Sequence, residues 1–290
     1  MPPRIGVLVT HGMGDPKPDF AAGLIRRLRA RLGRDADDVA FEPCHWAPIL
    51  QMSQDRIWKK LLDGGRDMDQ KRMRRWIMSA LGDPVGYLSG YMQDGEPVHL
   101  KVHECVRDAL ARLSARLDEP DTAPLVVLAH SLGSVVASNY IWNEERASGE
   151  LRPAGSRLAG SIGEVKRAPV GRTPFERMES LVTLVTYGST IPLFLPPVEP
   201  LECIHFPRAT LPPHLRAVAR WLNVYDPDDL LGYPIADAWD ELHGSRIDDV
   251  AVNIGIFPLS ETPFAHTLYD RDGSFLKLVV AEIRKVMEAG

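Results

Sequence analysis

Ser131 stands in Ala129-His130-Ser131-Leu132-Gly133-Ser134, between the aliphatic run Leu125-Val126-Val127-Leu128 and an apolar-periodic segment from Val135 to Trp142. A buried strand, a tight turn of small residues and a helix hold one side chain at the apex of a sharp strand-to-helix turn. Gly133 suits a place where strand and helix backbones pass close together; Ala129 adds a methyl where the usual pattern has glycine. The simpler alternative is a serine that caps a helix.

A serine hydroxyl is a weak nucleophile near neutral pH and needs a base in hydrogen-bond reach. Histidine suits that role, and a carboxylate can fix its tautomer and steady the imidazolium. His266 is the candidate base, because it alone follows the last expected strand and precedes the last expected helix. His205, His214 and His243 lie in connecting segments, while His11 and His130 are expected to shape their loops rather than move protons. Three carboxylates, Asp226, Asp228 and Asp229, follow the strand Trp221–Tyr225 and are the candidate acids. An oxyanion would be held by the backbone N–H of Leu132, the residue after the serine, and by a second N–H from the loop after the first strand, Met13 or Gly12.

These residues need a frame. Buried-strand runs are expected at Ile5–Thr10, Val39–Phe41, Leu125–Leu128, Leu181–Tyr187, Trp221–Tyr225 and Val250–Phe257, with helices at Phe20–Leu32, Val98–Leu117 and Gly273–Glu288. Alternation of this kind predicts an α/β fold, a mostly parallel sheet flanked by helices, within a single domain spanning 1–290. Functional residues then gather beyond the carboxyl ends of the strands. His11-Gly12, Ser131, Gly188-Ser189, the aspartate cluster and His266 all follow such runs.

Two stretches fall outside the frame. Residues 49–97 read as a helical excursion or cap, broken at Gly64-Gly65 and at Gly82-Asp83-Pro84. Its Trp, Met and Leu residues either cover a pocket or pack on the domain, and the basic run Lys71-Arg72-Met73-Arg74-Arg75-Trp76 is either a solvated helix face or a peripheral contact with anionic lipid. Residues 143–173, rich in Arg, Gly, Ser, Pro and Ala, read as a long mobile loop.

Composition narrows the classes further. The 290 residues are 44% hydrophobic and 25% charged, with net charge -5, which argues against nucleic acid as a partner. Cys44, Cys105 and Cys203 have no spacing that suggests a disulfide framework or zinc, so a cytoplasmic location is expected. His99 and His103 have ligand spacing, but neither the intervening glutamate nor a third ligand is present, so no metal is expected. The Gly12-Met13-Gly14 loop lacks the third glycine of a dinucleotide site, with Lys17 in its place.

In its Ala-His-Ser-Leu-Gly-Ser turn, its Leu-Val-Thr-Leu-Val-Thr-Tyr-Gly-Ser strand and its Asp-Asp-Leu-Leu-Gly-Tyr-Pro turn, the chain resembles the α/β-hydrolase superfamily, most of all its lipase and esterase branch. The order serine, acid, histidine is the order of that superfamily. The resemblance spans residue 4 to about residue 288 outside the two excursions, and lacks the first two strands of larger members. It implies a serine hydrolase needing no metal or organic cofactor, expected to cleave carboxylic esters through an acyl-enzyme, and the apolar helical excursion points to an acyl or other hydrophobic substrate. The resemblance also favours Asp229, followed by Leu230-Leu231-Gly232, as the acid over Asp226 and Asp228. A catalytically silent binding or scaffold protein of the same fold, associated with a membrane surface or not, is the alternative expectation.

Overall fold

The computed structural model describes residues 2–147, 170–195, 201–242, 244–255 and 263–290. The chain runs β1 (Ile5–Thr10), α1 (Ala22–Leu32), β2 (Val39–Cys44), α2 (Ala47–Asp63), α3 (Lys71–Leu88), the two-residue strands β3 (Met92–Gln93) and β4 (Glu96–Pro97), and α4 (Val98–Ser114). It continues through β5 (Leu125–His130), α5 (Leu132–Ala147), β6 (Leu181–Tyr187), α6 (Pro213–Val218), β7 (Arg220–Tyr225), β8 (Ile247–Ala251) and α7 (Gly273–Ala289).

Six strands form one sheet in the order β2-β1-β5-β6-β7-β8, and every neighbouring pair is parallel. A parallel sheet needs helical crossovers, so both faces are covered and its inner strands β1, β5 and β6 are buried almost throughout. β5 shows how this works: Leu125, Val127 and Ala129 pack with the apolar stripes of α4 and α5, and Val126 and Leu128 with those of α1 and α7. The first crossover carries the chain from β1 outward to β2, and the later strands of this sheet, β5 to β8, are added on the other side of β1. The order therefore reverses between β1 and β5, where open α/β sheets leave a crevice at their carboxyl ends.

Several element boundaries differ from the sequence reading. α3 runs unbroken through Gly82-Asp83-Pro84 instead of ending there. An interior proline costs a helix one hydrogen bond and some steric strain; here Asp83 and Pro84 are buried anchors that offset the cost. α5 continues to Ala147, so the expected loop cannot begin at 143. The charged pair Glu144-Glu145 has the character of a helix leaving the protein, yet both carboxylates are fully buried and accept backbone N–H groups of Val170, Gly171 and His205. The rest of that expected loop, residues 148–169, lies outside the described residues.

Among the described residues the last strand is β8, Ile247–Ala251, earlier than the apolar run Val250–Phe257 suggests. As an edge strand it tolerates Asp248 and Asp249, and Asp249 accepts from Asn223 Nδ2 and from the N–H groups of Ile235 and Ala236. Residues 256 and 257 lie outside the described residues. Among the described residues, no helix is long and apolar enough to cross a membrane.

Candidate active site

The reversal between β1 and β5 places the loop after β1 against the turn after β5. Ser131 carries φ 51°, a left-handed conformation unusual for a residue with a Cβ, and one that sharp turns at functional sites retain. Its N–H is held by the Tyr187 carbonyl at 3.0 Å, and its carbonyl accepts from Ser134 N at 2.9 Å and Ser134 Oγ at 2.6 Å. A Cβ at Gly133 would stand 2.4 Å from the His11 carbonyl oxygen, so only glycine lets α5 start this close to β1.

The structure brings Ser131, His266 and Asp229 together. His266 Nε2 lies 2.7 Å from Ser131 Oγ, and His266 Nδ1 lies 2.9 Å and 3.1 Å from the two oxygens of Asp229. All three side chains are buried. With Nδ1–H donating to the carboxylate, Nε2 carries the lone pair and accepts from the serine hydroxyl. Burial, the largest single influence, acts to raise the Asp229 carboxyl, but the His266 ring, the Leu231 N–H and the Tyr269 hydroxyl together outweigh it, and the net direction is downward.

The other two aspartates are elsewhere engaged. Asp226 is buried with one oxygen on Asp228 N at 2.8 Å and the other on Ile254 N at 2.6 Å, so its side chain braces the loop after β7. Asp228 is exposed. Of the remaining histidines, His205 sits against Glu145 of α5, His214 is exposed on α6, and His243 lies outside the described residues.

Tyr269 is the residue that sequence patterning missed. Its hydroxyl donates to Asp229 Oδ2 at 3.0 Å and accepts from Asp226 N at 2.9 Å, joining the acid to the backbone of the β7 loop. A tyrosine three residues past a candidate histidine carries no motif, so only the fold reveals it. Gly232 is similarly particular, since a Cβ there would meet Asp229 Oδ2 at 2.5 Å.

His11 and His130 are built in as neutral struts. His11 Nδ1–H donates to the Gly12 carbonyl at 2.7 Å, and its Nε2 accepts from Trp46 N at 3.2 Å and Ala47 N at 3.3 Å. In a trans peptide the N–H points opposite the C=O, so this bond also sets the direction of the Met13 N–H. The loop passes beside Ser131: a Cβ at Gly12 would lie 2.6 Å from the Ser131 Cβ. Leu132 opens α5, and a first-turn N–H has no acceptor within its own helix. His130 Nε2–H donates to the His266 carbonyl at 2.8 Å and pins the backbone of that residue. His99 and His103 face the protein interior, where His103 contacts Tyr87 Oη at 2.8 Å and Asn143 Nδ2 at 3.2 Å. No group of three or more potential metal ligands occurs among the described residues.

Burial, as the leading cause, drives His11, His103 and His130 down to about 3 from the ordinary 6.5. The folded state therefore keeps all three neutral where the unfolded chain takes up protons. The effect on stability is absent above pH 6.5 and grows as pH falls from there toward 3, at roughly 1.4 kcal/mol per pH unit for each histidine at most. Thermal melts are expected to show Tm dropping steeply between about pH 6 and pH 4, and a flat profile across that window contradicts the assignment.

The cleft over Ser131 encloses about 280 Å³ and is walled by Met13, Phe20, Leu24, Trp76, Tyr187 and Leu231. Trp76 comes from α3, so the excursion closes one side of the site. No protein-family model matches the chain, and no curated protein matches it.

Proposed function

We propose that the protein is a serine hydrolase of the α/β-hydrolase type that cleaves carboxylic esters through an acyl-enzyme. The observation that carries this reading is the unbroken relay from Ser131 Oγ through both nitrogens of His266 to Asp229. Ser131 Oγ adds to the ester carbonyl carbon while its proton passes to His266 Nε2. The charge that develops on the carbonyl oxygen is met by the N–H groups of Leu132 and Met13, with Gly12 as the neighbouring donor. Collapse breaks the bond to the alcohol oxygen, which leaves with the proton from His266. A water then gives its proton to the same nitrogen and attacks the acyl carbon, and the acid and Ser131 are released. Asp229 stays ionised throughout and holds the imidazolium. The apolar cleft wall favours an acyl chain as the group seated beside the carbonyl.

A fluorophosphonate probe reports on the nucleophile directly. Covalent capture on the peptide containing Ser131, blocked by prior heating, is expected; folded protein that takes up no probe overturns the reading and leaves a catalytically silent binding module.

A second reading, peripheral association with an anionic lipid surface, is favoured by where apolar surface is exposed. Most of the large exposed hydrophobic side chains, among them Ile57, Leu61, Trp76, Leu81 and Met92, lie on α2, α3 and the β3–β4 hairpin. Residues 55–75 carry eight basic and four acidic side chains in a chain whose net charge is -5. Together these suit a surface that is apolar below and negative above. Cosedimentation with phosphatidylglycerol vesicles that weakens as salt rises is the expected result, and equal recovery with and without vesicles removes this reading while leaving the hydrolase reading intact.

A further inference from the structure

We infer that Asp83 of α3 is a positioning residue for the oxyanion loop, so that the helical excursion sets catalytic geometry as well as walling the cleft. The inference rests on the hydrolase reading above. Asp83 has no exposed surface, and its carboxylate accepts from Gly14 N at 2.6 Å, Gln51 Nε2 at 2.8 Å and Gln54 Nε2 at 2.5 Å. Gln51 Nε2 also donates to the Gly14 carbonyl at 3.1 Å. Both polar backbone groups of Gly14 are thus held by side chains of α2 and α3.

The amide orientation of Gln51 follows from its other end. Its Oε1 accepts from Arg75 Nη2 at 3.0 Å and Ser79 Oγ at 3.3 Å, which leaves the NH₂ group facing Gly14 and Asp83. Gly14 needs such a clamp: its φ of 105° belongs to a region that glycine enters freely, and nothing stands within 4 Å of where a Cβ would be. Nothing packs where a Gly14 side chain would stand, so its N–H is held by the Asp83 carboxylate, while the Met13 side chain beside it rests on the core. Met13 sits between two tethered peptides, with His11 on the Gly12 carbonyl and Asp83 on the Gly14 N–H. Its N–H, the second donor to the developing oxyanion, keeps its aim only while both tethers hold.

Asp83→Asn is the isosteric test, because an amide must turn a donor either toward the Gly14 N–H or toward the two glutamines. The expected result is a fall of roughly 10–100-fold in kcat for a p-nitrophenyl ester, and in the rate of phosphonylation by a fluorophosphonate, with KM within about twofold; full removal of one oxyanion donor sets the scale at about 10²–10³. Glu144→Gln, another buried carboxylate bonded to backbone N–H groups but on α5, is the control for lost stability and should lower Tm without this loss of rate. A folded Asp83→Asn protein with wild-type kcat, or with a change confined to KM, overturns the inference. If Asp83→Asn does not fold, Gln51→Met removes the donor to the Gly14 carbonyl and one of the donors to Asp83, and a smaller loss in kcat at constant KM supports the inference. Failure of both variants to fold, or full kcat in Gln51→Met, assigns the cluster to the fold alone and overturns it. A wild-type protein inert to the probe fails the hydrolase reading instead, and is distinguished by that from a fully reactive Asp83→Asn.

Discussion

Ser131→Ala is expected to hydrolyse an activated ester roughly 10⁵–10⁶-fold more slowly than the wild-type protein, with kcat carrying the loss. The substitution deletes the atom that would form the acyl bond and leaves its surroundings in place. The backbone N–H at 131 would still bond the Tyr187 carbonyl, and the Ser134 contacts run to the main-chain carbonyl of residue 131, so the turn keeps its supports. His266 would retain Asp229 but lose the hydroxyl at 2.7 Å. What remains is the oxyanion pocket acting on water, which accounts for a residual rate above the uncatalysed one. The check is steady-state hydrolysis together with probe labelling, on protein whose circular dichroism matches wild type. A variant that keeps more than about a tenth of the rate shows that Ser131 is not the nucleophile.

Asp229→Asn is expected to lower kcat about 10⁴-fold, and Asp226→Asn to act mainly on stability. In the Asp229→Asn variant, an amide donor turned toward His266 Nδ1 would force the proton onto Nε2, the nitrogen that must accept from Ser131. Turned the other way, the amide would leave the Leu231 N–H or the Tyr269 hydroxyl without its acceptor. At position 226 the carboxylate bonds only backbone N–H groups, so an amide leaves one buried donor unpaired, at a cost of about 1–3 kcal/mol. Asp228→Asn, on an exposed side chain, should do neither. Kinetics and melts on the three variants separate these outcomes, and equal losses of kcat at 226 and 229 contradict the geometry.

Much of this arrangement is legible in the chain because strand ends are local features. An aliphatic run followed by a small-residue turn identifies the end of β5 without knowledge of the rest of the chain, and the same holds for the loop after β1 and the aspartates after β7. Helix periodicity likewise locates α4 and α7 to within a few residues. Disagreements fall where local chemistry and tertiary environment conflict. Gly82-Asp83-Pro84 carries the types of a break, yet its aspartate is a buried anchor inside α3. Glu144 and Glu145 look solvent-facing, yet each satisfies backbone donors from segments far along the chain. The apolar residues from Val250 onward resemble a core strand, whereas the edge strand β8 starts earlier, at Ile247, takes in Asp248 and Asp249, and stops at Ala251.

By itself the sequence determined the α/β class and placed Ser131 and the aspartate cluster directly after strands of the sheet, because backbone propensity and hydrophobic period act over a few neighbours. Only the tertiary structure decided which of three nearly adjacent aspartates faces His266, that Tyr269 braces it, and that Asp83 reaches 69 residues back to Gly14. Those are hydrogen bonds between segments distant in sequence. Their partners are selected by how the elements pack, and a burial-driven network leaves no periodic trace in the chain that makes it.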